Sequence, residues 1–202
     1  MPKECQQRQN TAVRRGQIAD AVRQVIIKYG SEHVTIRKIA GEIGITEGAI
    51  YRHFKSKREI LSFLIEDIEA NLIGDVERGI ASGGTPLQII DRTLKSHISS
   101  VEQRRGITFL VIAEIISLGD KELNGQVYEA LNRYRSRIKD LISGGMRSGE
   151  IRDDIVPDTL AMLLSSIIHG LVNVWALSNY SFSLEERYLP MWNMIREAIV
   201  RE

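Results

Sequence analysis

The chain has 202 residues, 43% of them hydrophobic and 26% charged, a composition that argues against disorder for the body of the chain and allows a full core. Its net charge of +1 conceals a division: residues 1–60 carry 12 lysines and arginines against 6 acids, whereas residues 61–202 carry 15 against 20. A basic N-terminal third suits a small module facing a polyanion, joined to a body that does not.

The single cysteine, Cys5, excludes a disulfide framework or a thiolate metal site within one chain and fits a reducing cytoplasm. The opening MPKECQQRQNTAVRRG has no apolar run for a signal peptide, and no 18 uninterrupted apolar residues occur anywhere. A cytoplasmic protein with no membrane partner is expected.

Apolar residues recur at three and four, with no sustained β alternation, so the expected class is all-α with about nine helices. The first spans about 12–29, with Ile18, Val22, Val25 and Tyr29 on one face and Gly30 as its stop. Thr35 caps a second over 35–43, and Thr46 caps a third over 46–54, with Ile45 and Ile50 spaced as a hydrophobic staple. Next, SKRE at 56–59 reads as a capping box opening a long fourth helix through Leu64, Leu72 and Val76. Thr85, Pro86 and Gln88 start a fifth at about 86–103. Others follow at 107–118, 121–148, 158–179 and 184–200, Gly144 and Gly145 interrupting the seventh and Pro190 kinking or delaying the ninth. Residues 160–177 are apolar nearly all round, which calls for burial on several sides and hence for a subunit interface.

Two short helices joined by a tight turn at Gly44 have the dimensions of a helix-turn-helix. With Ile50 and Phe54 turned inward, the third helix leaves Glu47, Gly48, Tyr51, Arg52 and Lys55 outward. Gly48, without a Cβ, lets a groove-facing backbone approach DNA; the alternative is a local weakness in the helix. Arg37 can fork onto guanine, and Lys57 opens a helix whose free N–H groups favour phosphate. Glu47 suits either cytosine N4 or the helix dipole.

The segment TIRKIAGEIGITEGAIYRHFKSKREIL resembles the DNA-binding domain of the TetR family of bacterial transcriptional regulators. It has the Thr-x-Arg-x-x-Ala second helix, the Gly-hydrophobic-Thr turn, Tyr-x-His-Phe, and a lysine before the fourth helix. The resemblance implies that Arg37, Glu47, Gly48 and Tyr51 lie nearest base edges, while Thr35, His53 and Lys57 hold phosphates. Arg14 and Arg15 are further candidates for phosphate or the minor groove, and for His53 a packing role is the competing reading. It also implies two domains, a helix-turn-helix domain over 1–60 and a helical ligand-binding and dimerisation domain over 61–202.

A homodimer on a palindromic operator, released by a small-molecule effector, is therefore the expected regulator, with repression the family's usual mode. Interface candidates are Leu164, Ile168, Leu171 and Trp175 with Met191, Trp192 and Ile195, some of which an internal core would also explain. Pocket candidates are the polar or aromatic residues of otherwise apolar helices: His97, Phe109, Glu114, Tyr128, His169 and Trp175. Glu114 is the only charge between Ile107 and Leu118 and needs a partner, Arg133 or Arg137 within the chain, if it is buried. No metal or other cofactor is expected. The histidines at 33, 53, 97 and 169 lack metal-site spacing, and no nucleophile elbow or phosphate loop occurs. A DNA-binding factor governed by a protein partner, or by no ligand, is the alternative, and a helical enzyme the third reading.

Overall fold

The computed structural model describes residues 3–30 and 33–200, the side chains of 3–10 excepted, so the Cys5 side chain lies outside the described residues. It contains nine helices among them: α1 (Lys3–Tyr29), α2 (Ile36–Glu42), α3 (Glu47–Tyr51), α4 (Lys57–Ala81), α5 (Pro86–Gln103), α6 (Ile107–Leu118), α7 (Lys121–Arg147), α8 (Pro157–Leu177) and α9 (Leu184–Ile199). The one extended pairing among the described residues is an isolated bridge between Ile151 and Val200.

Local chemistry sets most of these boundaries. Thr35 and Thr46 accept the N–H groups of Lys38 and Ala49, each at 3.2 Å, which fixes the starts of α2 and α3. Thr85 and Gln88 form the reciprocal capping box, with Pro86 in the first turn of α5. At α4 the Ser56 hydroxyl accepts from Glu59 N–H, but the Glu59 carboxylate reaches back one residue further, to Lys55 N–H at 2.7 Å. Helix α7 runs through Gly144 and Gly145 instead of breaking. A Cβ on Gly145 would fall 2.7 Å from Ile151 Cδ1, so the glycine makes room for a buried isoleucine. Helix α9 likewise runs through Pro190.

The chain divides into two compact units, Met1–Asp67 with Leu110–Val127, and Ile68–Phe109 with Tyr128–Glu202. The division expected after residue 60 differs from this in being contiguous. In the first unit, residues 110–127 are held to the start of α4 by Lys57 on Glu114 at 2.8 Å, Arg58 on Asp120 at 3.1 Å, and Ser62 on Gln126 at 2.8 Å. There α1 packs on α2 and α2 on α3, over a core of Ile18, Val22, Val25, Ile39, Ile50 and Phe54. Tyr29 turns outward, carrying the Lys38 ammonium over its ring at 4.6 Å.

In the second unit α5 and α8 pack on α9. The Glu102 carboxylate of α5 accepts from Leu184 N–H at 3.1 Å, so an acid meets the positive end of α9. Leu164, Ile168, Leu171, Trp175 and Trp192, expected between subunits, are buried within this unit. Of that set only Met191 is exposed, and Ile195 is half-buried. An all-round apolar helix does not announce which stripe its own chain will use. The stripe left outward on α8 carries Met162, Leu163, Val174 and Leu177, with Met194 outward on α9.

Candidate nucleic-acid interface and buried polar cavity

Helices α2 and α3 meet through a turn in which Gly44 adopts φ +65° and Ile45 N–H bonds Ala40 O at 3.0 Å. That left-handed residue ends α2 and aims α3. Ile50 and Phe54 anchor α3 inward, leaving Arg37, Glu47, Gly48, Tyr51 and Arg52 exposed. Among the described residues, the side chains of Arg37, Tyr51 and Arg52 have no hydrogen-bond or ion-pair partner, so their donors are available to an external acceptor. Thr35 is exposed, and its hydroxyl, though accepting as a cap, keeps a proton to donate. His53 is half-buried, with Nδ1 buried and unpartnered among the described residues.

Two basic residues depart from expectation. Arg15, a candidate for phosphate or the minor groove, instead has its guanidinium 4.4 Å from the Phe54 ring and 5.0 Å from the Phe63 ring, and bonded to Glu59 at 3.4 Å. It is a packing cation. Lys57, expected on phosphate, gives its ammonium to Glu114; the lysine side chain is 29% exposed and the carboxylate 5%.

Glu114 therefore leaves the pocket set, and neither Arg133 nor Arg137 is its partner; Arg133 bonds Glu69 at 2.6 Å in the second unit. Tyr128 leaves it too, being 59% exposed. Trp175 is buried with its indole N–H committed to Phe182 O at 2.8 Å, so it fills the core. His97, Phe109 and His169 remain, all in the second unit.

His97 lines a cavity of about 50 Å³ with Asp75, Arg78, Ser100, Arg104 and Thr108. That volume suits a few waters and is well below that of a drug-sized ligand site. Asp75, a buried acid absent from the expected set, accepts from Ser96 Oγ at 3.1 Å and from Arg78. Its place three residues after Leu72 on the apolar stripe of α4 was the signal for it. His97 stacks on Tyr134 at 5.7 Å, and Phe109 meets His169 edge-on at 5.0 Å. Close by in the same core, the hydroxyls of Thr93, Tyr134 and Tyr188 and the Trp192 indole N–H are buried without partners among the described residues. Burial pushes both tyrosine hydroxyls well above their ordinary range and holds His169 below its own.

Burial lowers the pKa of His97 from 6.5 to about 4, against the opposing field of Asp75. The folded protein holds it neutral where the unfolded chain would protonate it. Stability from this group is complete above pH 6.5 and is lost as pH falls toward 4, about 3 kcal/mol in all. Replacing His97 by Gln is expected to remove that component. In urea titrations across the window, the midpoint difference between wild type and variant should change steadily with pH; a constant difference would show that His97 does not titrate as its burial requires.

A family model described as bacterial regulatory proteins, tetR family, matches residues 18–62, and one described as the YsiA-like protein C-terminal region matches 66–198. The chain belongs to the TetR family. This TetR-family protein is thus a DNA-binding transcriptional regulator, and the nine-helix, helix-turn-helix architecture read from its sequence is the one observed among the described residues. It is 24% identical to the nucleoid occlusion factor SlmA of Idiomarina loihiensis, over 93% of this chain and 95% of that one. The same identity, over 91% and 92%, relates it to the fatty acid metabolism regulator protein of Bacillus subtilis. The structure of the transcriptional regulator FadR from Bacillus subtilis in complex with stearoyl-CoA superposes with a TM-score of 0.77, at 24% identity, covering 90% and 95%.

Proposed function

We propose that this regulator binds a palindromic operator as a homodimer in the cytoplasm, represses from it, and is released by an acyl-CoA thioester taken up by the second unit. The observation that carries the DNA half is the α2–α3 face, whose Arg37, Tyr51 and Arg52 lack partners among the described residues while Gly48 leaves the helix start bare. Arg37, Glu47, Gly48, Tyr51 and Arg52 would read the groove, with Thr35 and His53 on phosphates. Helix α8 has the length and apolarity of a membrane-crossing helix, and its outward stripe, together with Met194, suits a second copy. Gly170 on that stripe faces open space, so a partner helix can approach closely.

Uptake of an acyl-CoA is supported by the cavity, where Arg104 offers a guanidinium to an anion beside Arg78, itself paired with Asp75, and by the stearoyl-CoA held by the Bacillus subtilis relative. An acyl chain exceeds the cavity of about 50 Å³, so binding requires the bundle to open. That small volume also favours a second reading, a DNA-binding factor governed by a protein partner or by no ligand.

Selection of bound duplexes from a random pool should enrich a palindrome, and titration of the complex with stearoyl-CoA should release it where free CoA and stearate do not. No palindrome would count against the operator. Enrichment without release by stearoyl-CoA, and without a shift in melting temperature, would favour the second reading.

A further inference from the structure

We propose that Glu114 is a positioning residue for DNA binding, withholding the Lys57 ammonium from the phosphate backbone. The two atoms stand 2.8 Å apart, Lys57 Nζ on Glu114 Oε1. Lys57 opens α4, where the free N–H groups of the first turn already attract an anion. Glu114 is the one charge in the α6 sequence ITFLVIAEIISL and is nearly fully buried. A buried carboxylate holds its cation strongly, because release would leave it desolvated and unpaired. Arg58 is engaged by Asp120 and Glu122, and Arg15 by Glu59, so neither replaces Lys57 at Glu114.

Counterion release gives this pairing a measurable meaning. Each phosphate neutralised by a protein cation displaces condensed ions and steepens the fall of log K with log salt by about 0.9. A lysine already neutralised from inside the protein adds no net charge to the interface and so contributes little to that slope. Wild-type protein should therefore bind DNA with Lys57 largely silent, and the flattening that a free Lys57 would predict for Lys57→Ala shrinks accordingly. The inference rests on the operator-facing reading of α3 and α4.

The test uses full-length protein with Glu114→Gln, Lys57→Gln and the double variant. Binding is followed by fluorescence anisotropy over a salt series, on a duplex recovered by selection and on a random-sequence duplex. Glutamine keeps the shape of Glu114 and can still accept from Lys57, and a thermal melt of each variant checks the fold. Glu114→Gln is expected to tighten binding severalfold at low salt and to steepen the slope by about 0.9 per protomer. Lys57→Gln alone should change the slope little, whereas added to Glu114→Gln it should cancel the whole gain. The proposal is overturned if Glu114→Gln leaves slope and affinity unchanged, or if Lys57→Gln alone flattens the slope by the full amount. Failure to select a palindrome would count against the operator reading alone, since the random duplex still reports the slope.

Discussion

Gly48→Leu is expected to lower operator affinity roughly a hundredfold while leaving the melting temperature unchanged or slightly raised. Within the chain, nothing requires a glycine there. A Cβ at Gly48 meets only Thr46 Oγ1, at 3.9 Å, an ordinary contact, and the residue lies in α3 without a positive φ. Helix propensity favours leucine over glycine by about 0.8 kcal/mol, so the free protein should not suffer. The need for a bare backbone must come from outside. The first residues of a recognition helix sit against base edges, and forcing a branched side chain into that contact costs about 2–3 kcal/mol by the measure of overpacked interiors. Anisotropy on the selected duplex together with a circular dichroism melt checks both halves. Retained affinity would mean that the glycine was not making room.

The second large effect concerns stability. Trp192 is 0% exposed in the second unit, and Trp192→Ala should destabilise by about 3 kcal/mol, the lower end for such truncations. The lower end applies because its indole N–H is buried without a partner among the described residues, and that penalty disappears with the ring. Against a typical total of about 5–15 kcal/mol this is a substantial share. Met194, 71% exposed on the same helix, provides the contrast. Met194→Glu should leave urea stability of the protomer nearly intact and shift sedimentation toward monomer. If Trp192→Ala instead dissociated a still-folded protein, the assignment of α9 faces would be inverted.

Local signals in the sequence were legible and non-local ones were not. Thr85, Pro86 and Gln88 gave the start of α5 to the residue, and Gly44 marked the turn between α2 and α3, because caps and left-handed turns act within four residues. Residues 3–11 looked unstructured because a helix without an apolar stripe has no periodicity to read; α1 nevertheless begins at Lys3. Helix α3 ends at Tyr51, short of the expected 54, as the chain turns through Arg52 and His53. The need of Glu114 for a cation was readable from its apolar helix, but the cation stands 57 residues away. Only the fold brings those two together. The proposed recognition surface rests on spacing and family likeness, whereas the cavity behind Asp75 depended on how α4 and α5 pack.

The inward faces of α8 and α9 are already complete within one chain. In the homodimer proposed above, a protomer with its core closed would not need to unfold to leave its partner, so subunits could exchange between dimers while staying folded. Pairing then follows mass action among folded monomers, and where these outnumber dimers, operator occupancy rises as the square of protein abundance. At low copy number such a switch would respond to its own dosage more sharply than any single binding event allows.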